Sequence, residues 1–318
     1  MPRNFQYTAV IGVTMSGQPV DTQAQELPSA SDSTFLLGLA IAAVIAVVVL
    51  AVLYQQSAAV HDVLVTIGQG LGTSGFWTAA GVGLLAQVVD GALGMAYGVT
   101  SSAFLLSVGV PPAAASASVH LAEVCTTAFS GLSHWKLGNV NKALFKRLLI
   151  PGIAGAVLGA FVLTSFDGKV LKPWISGYLL LMGLYILTKA FRPIVVATEP
   201  PTYVAPLALT GGFVDAVGGG GWGPVVTTSL LGSGQEPRRT IGSVNAAEFF
   251  IALAGGVSLT VMGGLTVWTT IAGLIFGGLF AAPLAAVLAK HAPTKVLLVI
   301  VGLLITGISL YNIIKVLS

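Results

Sequence analysis

The chain reads as an all-α integral membrane protein. It is built from two inverted repeats, each a glycine-broken re-entrant hairpin plus three transmembrane helices, with one extra N-terminal transmembrane helix. Three observations lead there. First, 55% of the 318 residues are hydrophobic and 8% charged, with a mean hydropathy of +0.92. Soluble domains run near a quarter charged, so this composition cannot coat a water-facing surface. Second, apolar runs long enough to cross about 30 Å of hydrocarbon recur along the chain. Third, two longer apolar stretches are copies of one another, and each is ruptured by glycine.

Residues 1–33 are polar, with Arg3 the one basic residue among them, and form a solvated tail. No basic stretch leads into a short apolar core there, so the tail does not read as a secretory signal. The first transmembrane helix and its connector occupy 34–72, with the apolar run at 35–54. Repeat 1 covers 73–193 and repeat 2 covers 200–318. Full spans are expected at 113–134, 145–165, 173–191, 240–262, 267–289 and 295–315. The stretches 75–108 and 203–232 contain DGALGMAYG at 90–98 and DAVGGGGWG at 215–223. Four consecutive glycines cannot sustain a helix at about 1 kcal/mol each relative to alanine. Each stretch is therefore expected to be two half-helices joined by unwound backbone.

An offset of 125 residues aligns 90–131 with 215–256 without a gap, giving 12 identities in 42 pairs. They include Asp90/Asp215, Gly94/Gly219, Gly98/Gly223, Pro112/Pro237 and Glu123/Glu248. Shared apolar composition matches leucines and alanines by chance, but not an aspartate, a proline and a glutamate in one register. Basic residues set the orientation, because Lys and Arg collect in cytoplasmic loops. Lys136, Lys142, Lys146 and Arg147, then Lys189 and Arg192, then Arg238 and Arg239, then Lys290 and Lys295 all fall inside if each broken stretch is a hairpin. Lys169 and Lys172, beside Asp167, then face out. One hairpin plus three spans inverts the second copy. The N-terminus is placed in the cytoplasm, and the protein in a bacterial inner membrane.

Four carboxylates lie within the apolar stretches: Asp90, Glu123, Asp215 and Glu248. An acid at membrane depth is costly and by default marks a pathway. Asp90 and Asp215 also have a structural role open to them, capping the next half-helix or holding backbone donors freed in the break. Glu123 and Glu248 sit mid-helix with no end to cap, so they are assigned to proton coupling, with His120 on the same face three residues before Glu123. The second repeat has Asn245 in place of His120.

Half-helices beginning near Tyr97 and Trp222 point N-termini, with unpaired N–H groups, at the centre. Gly94, Tyr97, Gly98, Ser101, Ser102, Gly219, Gly220, Gly221, Trp222, Thr227, Thr228 and Asn245 are the candidate substrate-binding residues. Proton coupling is assigned to Glu123, Glu248, His120, Asp90 and Asp215. An anion held among four carboxylates is repelled unless some are protonated, which ties proton uptake to anion binding. The same four acids, with no base among them, also suit a cation or metal carrier, and that alternative stays open.

An enzyme is not expected: there is no HExxH, no CxxC and no phosphate-binding loop. No cofactor or resident metal is assigned. The expected partners are a small anion, protons and the lipid bilayer. A net charge of +3, scattered, gives no reason to expect nucleic acid. The lone Cys125 forms no internal disulfide, and the oligomeric state, a homodimer included, is left open.

The segments LLAQVVDGALGMAYGVTSSAFLLSVGVPPAAASASVHLAEVCTTAFSGLSHWKLGNVN at 84–141 and GGFVDAVGGGGWGPVVTTSLLGSGQEPRRTIGSVNAAEFF at 211–250 resemble the two repeats of the TauE/SafE sulfite-exporter family, also called toluene sulfonate uptake permeases. The resemblance covers about 75–318. It implies a secondary transporter for sulfur-containing or related organic anions such as sulfite, sulfoacetate or sulfonates. The family's repeat motifs fall here on Asp90, Gly94, Gly98, Pro112, His120 and Glu123, and on Asp215, Gly219 to Gly221, Gly223, Pro237, Asn245 and Glu248.

Overall fold

The computed structural model describes residues 57–93, 95–191, 203–263, 267–291 and 294–317. The polar tail, the first apolar run at 35–54 and Gly94 lie outside the described residues. Every regular element among the described residues is helical. The chain divides into a unit over Met1–His61, of which the start of α1 is described, and a second unit over Asp62–Ser318.

The elements are α1 (Ser57–Gly70), α2 (Ser74–Leu93), α3 (Tyr97–Ser107), α4 (Pro112–Lys136), α5 (Lys142–Ser165), α6 (Gly168–Lys189) and α7 (Val204–Gly218). A π-helical turn (Gly223–Thr227) and the short α8 (Thr228–Gly232) follow, then α9 (Pro237–Gly263), α10 (Trp268–His291) and α11 (Thr294–Leu317). Part of the expected connector up to 72 is thus helical, as α1.

Local sequence sets these ends. Pro112 and Pro237 open α4 and α9 at the position where a missing N–H costs nothing. The Glu236 carboxylate accepts from the N–H groups of Arg238 and Arg239 at 3.0 and 2.9 Å. Asn141 and Asp167 cap α5 and α6 in the same way.

Among the described residues, four helices, α5, α6, α9 and the Leu298–Val316 part of α11, are long and apolar enough to cross a membrane. α4 is as long, at 25 residues, but Ser116, Ser118, His120 and Glu123 lower its hydropathy. These polar residues are buried within the bundle. Apolar side chains cover its outside, including Ile150, Trp174, Val261 and Ile314. That inversion of the soluble pattern suits lipid as solvent.

Packing pairs the two halves crosswise. α2 lies on α10 and α7 on α5, while α4 crosses α9 and α6 crosses α11. Glycine makes the approach close enough for backbones to touch. A Cβ on Gly277 would stand 1.8 Å from the Ala80 carbonyl oxygen, and one on Gly155 would stand 2.1 Å from that of Leu209. The contact register gives directions. Gly273 meets Phe76 to Ala80 and Gly277 meets Ala80 to Leu84, so α2 and α10 run parallel. Gly155 meets Leu209 and Gly159 meets Ala216, so α5 and α7 run parallel too. Gly131 meets Ala246 while Gly256 meets Leu121, so α4 and α9 are antiparallel. Gly183 meets Thr306 and Gly302 meets Leu187, making α6 and α11 antiparallel.

Candidate functional site

Both glycine-marked stretches are broken helices. The breaks are narrower than the motifs that announce them, because Asp90 and Asp215 still belong to the last turns of α2 and α7. The chain leaves helix after Leu93 and resumes at Tyr97; it leaves again after Gly218 and resumes at Gly223.

In both copies the aspartate accepts a hydrogen bond from the N–H seven residues on. Asp90 Oδ1 accepts from Tyr97 at 3.4 Å, and Asp215 Oδ1 accepts from Trp222 at 2.8 Å. A backbone donor freed by the break therefore finds its partner inside the chain, as a group buried from water must. Of the roles open to Asp90 and Asp215, holding a backbone donor freed in the break is the one seen, so the N–H groups of Tyr97 and Trp222 are not among the unpaired donors expected at the half-helix N-termini. Pro224, in the second, also has no N–H to offer.

The breaks touch each other. A Cβ on Gly98 would stand 2.6 Å from Gly220 Cα and 2.9 Å from Glu123 Oε1; one on Gly220 would stand 2.2 Å from the Gly98 carbonyl carbon. Gly219 and Gly220 adopt φ of 67° and 146°, the left-handed side that glycine enters without penalty. Carbonyls released along the second break are claimed by side chains of the first repeat. Ser102 donates to Gly219 O, Ser116 to Ala216 O at 2.6 Å and Tyr178 to Gly220 O at 2.9 Å. Tyr97 of the first repeat likewise donates to Leu274 O at 3.3 Å, and Thr228 of the second lies 3.7 Å from the Met95 sulfur.

His120, on α4, is fully buried and places Nε2 3.1 Å from Asp215 Oδ2. Its Nδ1 is 2.8 Å from the Ser116 carbonyl. The Glu123 carboxylate completes a buried group with these two, their ligand atoms all within 4.8 Å of one another. Glu123 Oε2 has no hydrogen-bond partner among the described residues, nor have the hydroxyls of Thr100, Ser101, Ser118 and Thr227.

Glu248, half-buried, is not part of that trio. Asn245 donates to Ser130 at 3.1 Å. Gly221 packs beside the Tyr178 hydroxyl. The Trp222 indole turns into an apolar cluster with Ala216, Val226, Val244 and Ile251, and its Nε1–H reaches Val244 O at 3.2 Å. That residue contributes its backbone N–H to the break while its ring packs the wall behind.

Residues 79–312 match the family described as Sulfite exporter TauE/SafE. This chain belongs to that family. It is also 46% identical, over 230 residues, to the Probable membrane transporter protein YtnM of Bacillus subtilis (strain 168), covering 70% of this chain and 77% of that protein. No solved structure matches. This TauE/SafE chain is thus a multi-pass membrane transporter whose central carboxylates, hydroxyls and broken backbone come together. Ser116 and Tyr178 escape sequence reasoning. Their counterparts in the second repeat are the apolar Ile241 and Leu304, so the duplication carries no trace of either.

Proposed function

We propose that this protein is a secondary transporter of small sulfur-containing or related organic anions, of the sulfite, sulfoacetate and sulfonate class. Transport is coupled to protons and proceeds by alternating access around the two broken helices. The observation that carries this reading is the contact between Gly98 and Gly220, which places both breaks at one buried centre. Unpartnered hydroxyls of Thr100, Ser101, Ser118 and Thr227 gather on the segments around it. They are neutral donors for an anion whose exit must stay easy. The family's name as sulfite exporters supports the sulfite part of that class.

An inverted arrangement of the repeats accounts for the packing directions. Matched helices α4 and α9, like α6 and α11, run antiparallel, as they do under a two-fold axis lying in the membrane plane. A re-entrant hairpin accounts for α2 and α3. α3 runs parallel to α11, with Asn312 on Ala103 O and Lys315 on Ser107 O, while α2 runs parallel to α10. Helices α10 and α11, of 24 residues each, are taken as antiparallel, since end to end they would span about 70 Å. The hairpins then enter from opposite leaflets, with the N-terminus in the cytoplasm of a bacterium and the chain in its inner membrane.

The His120–Glu123–Asp215 group keeps a second reading in view, a carrier of cations. Flux in proteoliposomes separates the two. With an imposed pH gradient and no divalent cation, sulfite or sulfoacetate is expected to move together with protons. Cation flux without anion movement would replace this reading with the second.

A further inference from the structure

The polar group at the centre poses a hydrogen-bonding problem. The Ser116 carbonyl can only accept, so His120 Nδ1, 2.8 Å away, must carry a proton. His120 Nε2 then faces Asp215 Oδ2 at 3.1 Å, with the Glu123 carboxylate, whose Oε2 has no partner among the described residues, in the same group. Unless a proton or a cation lies among these three side chains, lone pairs face lone pairs in a site closed to water. A proton between Nε2 and Oδ2, on either atom, serves the Asp215 side alone, and a proton on Glu123 Oε2 would itself have no acceptor among the described residues.

We propose that His120 Nε2, a Glu123 carboxylate oxygen and Asp215 Oδ2 form a site for one divalent transition-metal ion of the zinc class. The donor set of one imidazole and two carboxylates suits such borderline ions; magnesium and calcium favour oxygen alone and copper(I) favours sulfur. Ligand atoms about 2.0–2.2 Å from a tetrahedral ion lie roughly 3.4 Å from each other. The 3.1 Å pair and the 4.8 Å limit of the trio straddle that spacing.

The supports around the ligands are those a metal needs. His120 Nδ1–H is fixed by Ser116 O, which aims Nε2 inward, and Asp215 Oδ1 is fixed by the Trp222 N–H. Two positive charges cancel the carboxylates of Glu123 and Asp215. Three protein ligands leave one position for a water or an oxygen of a small anion. Glu248 lies outside the set, and no ligand comes from Cys125. The site does not depend on whether the protein carries anions.

Titrating the purified full-length protein in detergent with Co2+, and displacing it with Zn2+, tests the proposal. Visible absorption bands are expected to saturate at one ion per chain, and Zn2+ is expected to abolish them. His120→Asn, which installs the residue found at the matching place in the second repeat, should weaken binding at least about 100-fold, as should Glu123→Gln. His134→Asn, at the far end of α4, should leave binding unchanged. Zn2+ should raise the melting temperature of the parent protein but not of His120→Asn. Absence of a saturable one-to-one band, or equal bands in both ligand variants, overturns the site. Sulfite flux measured on the same preparations is independent: its absence with Co2+ binding intact sinks the anion reading alone.

Discussion

The two breaks descend from one sequence yet are held differently. In the first, a short interruption is anchored by a 3.4 Å bond from Tyr97 N–H to Asp90, with Ala96 at φ of 95°. In the second, four glycines unwind the chain further and a π-helical turn follows. There the aspartate bond tightens to 2.8 Å, and Ser102, Ser116 and Tyr178 donate to the exposed carbonyls. Asp215 also meets His120, whose counterpart in the other repeat is Asn245. A duplicated scaffold thus carries one heavily clamped break and one lightly clamped break. The half that unwinds most borrows its hydrogen bonds from the half that unwinds least.

Removing the shared clamp should show the difference most strongly. Asp215→Ala strands the buried His120 and the Trp222 N–H together, a loss of about 3–5 kcal/mol for one partner of a buried pair. Asp90→Ala should cost clearly less. Chemical and thermal unfolding of the two variants in detergent checks the order, and equal losses would erase the asymmetry. Gly220→Ala should come next. A side chain at φ of 146° is strained by about 1–3 kcal/mol, and its Cβ would strike the backbone of Gly98 and Val99. Transport should fall with it, and Gly98→Ala should lose transport with a smaller loss of stability. Proteoliposome flux beside melting temperature reads both.

Smaller still is Tyr178→Phe, which orphans the Gly220 carbonyl at about 1–3 kcal/mol. Tyr97→Phe should cost less, because the bond it loses, at 3.3 Å, is to a carbonyl within helix α10. Paired melting curves test this last step of the comparison.

Much of this architecture is legible in the amino-acid sequence. Glycine in apolar surroundings marks both breaks, and the 125-residue register ties them together, since Asp90/Asp215 and Pro112/Pro237 cannot match through composition. Spans 145–165 and 240–262 recur as α5 and α9 within a few residues, because an uninterrupted apolar run in lipid has little choice but helix. Partners across the fold are not legible. His120 lies 95 residues from Asp215 and Ser116 lies 100 from Ala216. No local pattern encodes such pairings, and residues whose repeat counterpart differs in chemistry, such as Tyr178 against Leu304, leave no internal signal. The Trp222 ring illustrates a different limit. Its position inside the glycine run suggests a lining role, but a bulky apolar ring beside small residues finds more contact in the helix wall.

The central claim is that the two breaks reach one centre from opposite sides of the membrane. Val108 and Ser233 occupy matching positions at the outer ends of the two hairpins. Val108→Cys and Ser233→Cys, each in a Cys125→Ala background, can be labelled in intact cells with a thiol reagent that does not cross the bilayer. The account predicts labelling of Val108→Cys from outside, and of Ser233→Cys only after the cells are opened. Labelling of both from the same side would contradict it.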